Sequence, residues 1–415
     1  DLYGVILLPE SATGADIEEA RKLLIDRGAA DGVTASSLAT YWFSRADIVE
    51  FKHVNTSGVT SLNSTWYNAT RLETFPLIDT TSVTEMQYAW ENTEVSSFPP
   101  IQAPVCSNFT ASWKSTDSLT SFPADAKLGT SAQNVNFESA WRSSGLTSFS
   151  TPLPTATSVS AAWLGAPSLS SFDATLPLVS NCNSAWAYCS SLVDFNLASI
   201  PEGIYFSQAF RNTGLVDFNT NLPKANTLSL SFKNCASLEN FSANVFTNWN
   251  PTSLPNAPFN DAWDGCTSLT AQSVENILTS IDASGHYATT NKVSGGTPLG
   301  DSGIDIDYDG TTLSAATNAA IDSLIGKGWQ VYINGVLTIP NVLTLAPAAA
   351  YSLRSFDANA DPNVVNVRRS SDGATSDFKA SEVSDGTLRD WTLGDTLALE
   401  NNRMYFDGVN DKVDV

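Results

Sequence analysis

Three columns of apolar residues run through more than half of the chain. With one aromatic residue of each unit set at zero, the first column is Trp42, Trp66, Trp90, Trp113, Trp141, Trp163, Trp186, Phe210, Phe232 and Trp263, in steps of 24, 24, 23, 28, 22, 23, 24, 22 and 31 residues. Eight or nine residues later stands a phenylalanine column: Phe51, Phe75, Phe98, Phe122, Phe149, Phe172, Phe195, Phe218 and Phe241. Three residues before it runs an aliphatic one: Ile48, Leu72, Val95, Leu119, Leu146, Leu169, Leu192, Leu215, Leu238 and, in the last unit, Leu269. A period near 23 lies in the range of solenoid repeats, in which one unit cannot bury its apolar face alone and stacked neighbours bury it together.

Within each unit the position four before the aromatic is apolar, from Leu38 and Leu62 to Leu228 and Phe259, and the position one before it is small in most copies. Offsets of minus four, minus one, zero and plus three share one face of a short helix, so each unit is expected to carry one or two helical turns. The Leu and Phe columns, with Ser or Thr between them, predict a short strand that repeats in every coil as one parallel sheet. Pro76, Pro99 and Pro123 follow their phenylalanines and would end the strand, having no N–H to donate. The expected fold is thus an α/β solenoid over residues 36–270, about ten units long. The two long steps contain insertions, Pro123 to Gln133 and Phe246 to Pro258, which are expected as loops on one face.

The flanks break the pattern. Residues 1–35 contain Asp16 to Gly28, with acidic residues first, Arg and Lys later, Gly at the end and Ile17, Ala20, Leu24 and Ile25 on one face. This predicts an N-terminal capping helix. Residues 271–342 are expected as the C-terminal cap, with helices at 271–282 and 314–326 and a strand from Trp329 into the turn at Gly335. An Ala/Pro linker at 341–350 leads into a polar β-rich module that ends at Val415. A chain opening on Asp1 rather than Met leaves room for a leader or an upstream domain, and the last module for a continuation.

Composition narrows the function classes. The net charge is −22 and only 15% of residues are charged, with no Lys/Arg cluster, which argues against nucleic acid or anionic membrane as partner. No apolar run is long enough to span a bilayer. Five cysteines, Cys106, Cys182, Cys189, Cys235 and Cys266, are an odd number, which argues against a complete disulfide framework, and their spacing is not that of a zinc ribbon or finger. Three of them stand at plus three and read as buried thiols, with a Cys235–Cys266 bond as the alternative. Two histidines, His53 and His286, leave little for a His-based triad or metal site, and no cofactor is expected. Asn55, Asn63, Asn68, Asn108 and Asn240 open glycosylation sequons that matter only in a eukaryotic secretory host.

Three features carry candidate chemistry. The stretch from Asp305 through Asp307 and Asp309 to Gly310 matches the start of a calcium loop, but Ala316 stands where its bidentate Glu belongs, so an acidic loop is the competing reading. The residue before each phenylalanine forms a polar ladder that ends in Asp194, Asp217 and Asn240. One strand spacing, about 5 Å, would suit a retaining glycosidase pair at Asp194 and Asp217, while a solvated sheet face explains them without catalysis. Trp249 lies outside the columns and is the candidate exposed aromatic contact, against the alternative that it folds back on the coils.

The segments Ala185 to Phe195, Ala262 to Leu269 and Leu119 to Pro123 resemble the BspA-type leucine-rich repeats of bacterial and phage surface proteins. Ser273 to Asp282, Ser294 to Gly296 and Leu324 to Trp329 resemble the cap that closes such arrays. Ala349 to Arg354 and Val364 to Gly373 look like a segment of phage tail-fibre proteins, and Tyr405 to Asp414 resembles the first strand of a laminin-G or concanavalin-like sandwich. The resemblance implies a right-handed leucine-rich-repeat coil and a non-enzymatic virion or extracellular surface protein. Its expected partner is a host cell-surface glycan or protein. Other readings are a bacterial secreted adhesin, a polysaccharide depolymerase using Asp194 and Asp217, and a structural virion or filament subunit that forms a homo-oligomer.

Overall fold

The computed structural model describes residues 37–51, 54, 56–251, 254–255, 258–288 and 303–338, together with the backbone of three later strands. The expected N-terminal cap, His53, Asn55, Ser294 to Gly296, the Ala/Pro linker and Tyr405 to Asp414 lie outside the described residues. Two compact units divide the chain, at 1–338 and 339–415.

In the first unit the repeats stack coil upon coil. A single parallel ladder of bridges runs through Ser37, Ser61, Glu85, Asn108, Asn136, Ser158, Asn181, Tyr205 and Thr227, one residue per coil and five before each column aromatic. The column aromatics beneath it are buried from Trp66 onward, Trp42 being half-buried, and stack face to face, Trp90 on Trp113 at 5.8 Å and 2°, Trp163 on Trp186 at 5.7 Å and 3°. Most also meet the Phe of their own coil edge-on, as in Trp66 with Phe75 at 4.5 Å, and Trp263, whose coil has none, meets Phe241 of the coil before. The Leu column from Leu72 to Leu269 is fully buried, so the core is one continuous stack of rings and aliphatics.

The expected helical turns are replaced by something else. From minus four to plus three each coil is a run of tight turns, and the residues at minus two and plus two are left-handed throughout, for example Ser64 (φ 52) and Asn68 (φ 58), Ser139 (φ 56) and Ser143 (φ 55). Every second N–H points to the next coil: in the coil of Trp66, Leu62 N donates to Glu85 O (2.9 Å), Ser64 N to Gln87 O (2.8 Å), Trp66 N to Ala89 O (2.9 Å) and Asn68 N to Glu91 O (2.8 Å). The N–H groups between them close four-residue β-turns, Thr65 on Leu62, Tyr67 on Ser64 and Ala69 on Trp66. A helix would satisfy these donors within the segment; here alternate donors are spent between coils. Each left-handed non-glycine residue costs about 1 kcal/mol, which the coil-to-coil bonds offset.

On the other side of the coil the donors point backward, as in Thr84 N to Thr60 O (2.8 Å) and Asp173 N to Phe149 O (2.9 Å). The strand side is a set of short pieces rather than one sheet. Ser148–Phe149, Ser171–Phe172 and Asp194–Phe195 pair in parallel, and Asp217–Phe218 pairs with Asn240–Phe241. Regular strands at the phenylalanines form only where the next residue is not proline: Asp173, Asn196 and Ser242 donate from that position, and Pro76, Pro99 and Pro123 cannot.

The stack ends on a small cap. The helix Ala271–Ala283 starts at the N-cap Thr270 and covers the last strand: Ser273 Oγ accepts from Phe241 N (2.9 Å) and donates to Glu239 O (2.8 Å), and Asn276 Nδ2 donates to Phe241 O (2.9 Å). Gly303–Ile306, Gln330–Ile333 and Val336–Leu337 form a three-stranded sheet beside the helix Ala315–Gly326. In the second unit, Tyr351–Leu353, Val364–Arg369 and Thr375–Lys379 form an antiparallel sheet.

Candidate functional site

The polar ladder before the phenylalanines is exposed at Asp194, Asp217 and Asn240, each flanked by a buried column phenylalanine. Ser148, Ser171 and Asp194 are in register. Asp217 is in register with Asn240, whose Nδ2 donates to Asp217 Oδ1 (2.6 Å). Asp194 and Asp217 do not pair: they lie in different sheets, so the expected continuous ladder is interrupted between them.

The reason is a split between two coils. By the pattern of the following coil, where Asn240 N donates to Val216 O (3.1 Å) and Ser242 N to Phe218 O (3.0 Å), Asp217 N should meet Val193 O and Asn219 N should meet Phe195 O. Among the described residues neither bond forms. The coil of Phe210 reaches Phe218 in eight residues where the coil of Trp186 takes nine to Phe195. Gly214 makes up the shorter path: a Cβ there would stand 2.6 Å from Ser190 O, so only glycine lets the backbones approach this closely. The split is bounded on both sides, by Trp186 N to Ala209 O (2.9 Å) and by Asn221 N to Ala198 O (3.0 Å).

A groove of about 670 Å³ opens over the split. One wall is Val193 to Ala198; the other is Asp217, Asn219 and Asn221, extended by Asn244 and Thr247. Asn244 Nδ2 donates to Asn219 Oδ1 (3.2 Å), and Asn221 Nδ2 donates to Asn244 O (2.7 Å) and Thr247 O (3.1 Å), which fixes the amide wall. Asn244 and Thr247 come from a short 3-10 turn, Ala243–Phe246, and the residue after it, at the edge of the 31-residue step. A smaller groove of about 220 Å³ continues past Asp217 and Asn240 to Thr270, Gln272 and Asn276.

Trp249 is not an exposed contact. It is 3% exposed, packs on Phe246, Phe259 and His286, and donates its Nε1 to Ala225 O at 2.6 Å. An aromatic with a satisfied polar edge inside the insertion is an anchor that holds the loop to the stack. The calcium reading is also corrected. Asp305 lies in a strand, Gly303–Ile306, paired in parallel with Gln330–Ile333, so the chain is extended where a cation loop must curl. Asp307 Oδ2 accepts from Gly265 N (2.9 Å), and Asp305 O accepts from Trp263 N (3.1 Å). These two groups replace the carbonyls that a further coil would have offered to the last one. Asp309 N donates to Leu269 O (2.9 Å), and no group of three or more His, Cys, Asp or Glu capable of holding a metal occurs among the described residues.

All five cysteines are free and buried, including Cys235 and Cys266. Cys189 Sγ donates to Trp163 O (3.1 Å), Cys235 Sγ to Phe210 O (3.0 Å) and Cys266 Sγ to Phe232 O (3.0 Å), so each thiol serves the preceding coil. Burial pushes the Cys106 and Cys189 thiols up to about 12.

Sequence reasoning missed two sets of residues. The ladder five before the aromatic begins each turn run: Asn108 Oδ1 accepts from Thr110 N (3.0 Å), Asn136 Oδ1 from Glu138 N (2.9 Å) and Asn181 Oδ1 from Asn183 N (3.1 Å). Its signal was the recurrence of Ser or Asn there. Asn219 and Asn244 were missed because they belong to no column; only their place beside the split brings them together.

No helix among the described residues is long and apolar enough to cross a membrane. No family model matches the chain, and no curated protein matches it. Among solved structures, a leucine-rich repeat protein from Bacteroides ovatus aligns with 54% of this chain and 75% of its own, at 13% identity and a TM-score of 0.21.

Proposed function

We propose that this chain is a non-enzymatic recognition protein of a virion or extracellular surface, a continuous right-handed solenoid that binds its partner through the groove beside Asp194 and Asp217. The groove itself carries the reading: it is open, walled by amides and carboxylates, and fixed by coils that cannot shift singly. A net charge of −22 makes a polyanionic partner unfavourable and a neutral envelope component the better match. A phage fibre or appendage fits this role, and a bacterial secreted adhesin would use the same physics. The test is retention of the purified, folded protein by bacterial envelope fractions; a protein that keeps its circular-dichroism spectrum and is retained by none of a broad panel sinks the proposal.

A second reading is favoured by one observation, that Asp194 and Asp217 line the same groove. In a polysaccharide depolymerase the two would divide the acid and nucleophile or base roles. Incubation with capsular polysaccharide would then release reducing ends, and the double variant Asp194→Asn, Asp217→Asn would not.

A further inference from the structure

Resting on the recognition reading above, we propose that the split between Phe195 and Phe218 is a binding site for a neutral saccharide bearing hydroxyl or acetamido groups. Two backbone edges line one groove there without being bonded to each other, Val193 O and Phe195 O on one wall and Asp217 N and Asn219 N on the other. Unpaired N–H and C=O groups at a strand edge attract an occupant that can both donate and accept. A peptide strand cannot be that occupant. Admitting one would need two strand spacings, about 9.6 Å, between coils that are clamped by Trp186 N to Ala209 O (2.9 Å) and Asn221 N to Ala198 O (3.0 Å).

A sugar edge needs no such opening. Each hydroxyl is donor and acceptor at once, and an acetamido group carries one of each, so either can serve both edges from the groove. The amides of Asn219 and Asn244 are already oriented by their mutual bond and add polar contacts on the same wall. Val193, 43% exposed, gives the apolar C–H face of a ring a surface to rest on. The carboxylates of Asp194 and Asp217 accept hydroxyl donors and repel a uronic or sialic acid. A volume of about 670 Å³ lies within the range of small-ligand sites.

Two measurements on the full chain test the proposal. On a printed array of neutral, acetamido and acidic glycans, the hits should be neutral or acetamido sugars. Asn219→Ala and Asn244→Ala should each weaken them about tenfold, as expected for lost hydrogen bonds, while Ser148→Ala, away from the groove, should not. Acidic glycans bound equally well, an array without neutral hits, or hits indifferent to both Asn variants would overturn it. By amide hydrogen exchange, Asp217 and Asn219 should exchange faster than Asn240 and Ser242, their bonded counterparts one coil on, and slow down when the best array hit is added at saturation. Equal protection without sugar would mean that the split is closed and the site absent. The two proposals fail separately: envelope retention that survives both Asn variants keeps the recognition reading and removes this site from it. Loss of envelope retention by the unaltered protein removes the recognition reading itself.

Discussion

The column tryptophans present a contrast between their rings and their nitrogens. The rings are buried and stacked, yet Nε1 of Trp66, Trp90, Trp113, Trp141, Trp163, Trp186 and Trp263 has no acceptor in the surrounding structure. The edge-on phenylalanine of each coil supplies only a π face, a weak partner at best. The column already holds Phe210 and Phe232. Trp163→Phe is therefore expected to change stability by less than about 1 kcal/mol, the lost ring area being offset by removal of an unpaired donor. Trp163→Ala should cost about 3–5 kcal/mol. Urea titration of the three proteins separates these outcomes. At the same scale, the buried thiols should resist iodoacetamide until the protein unfolds. Cys106 and Cys189 hold their protons up to about pH 12 when folded, whereas unfolded thiols lose them near the ordinary value of 9. The unfolded chain thus binds fewer protons between those limits, and stability should fall as pH rises from about 9 to 12, by up to a few kcal/mol. Denaturation series at several alkaline pH values, repeated on Cys189→Ala, would show a shallower fall in the variant.

At the scale of the element, the apolar columns were legible because a period of about 23 forces every core position to recur. The conformation between the columns was not legible from those spacings. Offsets of minus four, minus one, zero and plus three suit one face of a helix and suit equally a run of tight turns whose alternate N–H groups leave the segment. What separates them is the left-handed residue at plus two, where Ser44, Asn68, Asn92, Ser115, Ser143, Gly165, Asn212, Asn234 and Gly265 stand, residues that tolerate or favour that region, with Tyr188 the one exception in the column. The groove was partly legible: Asp194 and Asp217 stood out in their column, but the missing bonds that open it lie between coils, where no column position records them. Trp249 misled because a lone aromatic in an insertion carries no periodicity from which to read its burial. Asp307 shows how an acidic motif can be structural. Asp307→Ala should leave Gly265 N without its acceptor and cost about 1–3 kcal/mol, seen as a lower melting temperature and faster exchange of the Gly265 amide. Calcium should not raise the melting temperature of the unaltered protein.

At the scale of the whole molecule, stability in a stack is close to a sum of coil and interface terms. Removal of one complete coil, such as residues 62–85, should therefore give a shorter folded protein with the same far-ultraviolet spectrum per residue. Removal of half a coil should misplace every later column and abolish cooperative unfolding. The two sides of each coil also have an electrical consequence. Along the turn run the peptide dipoles point toward the C-terminal end of the stack, and on the strand side they point back, as Trp66 N to Ala89 O and Asp173 N to Phe149 O illustrate. An α-helix adds its dipoles head to tail and gathers about half a unit charge at each end. Here the backward dipoles offset part of the forward ones, so lengthening the stack by whole repeats builds a weaker field at its tips than dipoles all of one sense would, and closing its termini is chiefly a matter of shape and hydrogen-bond partners.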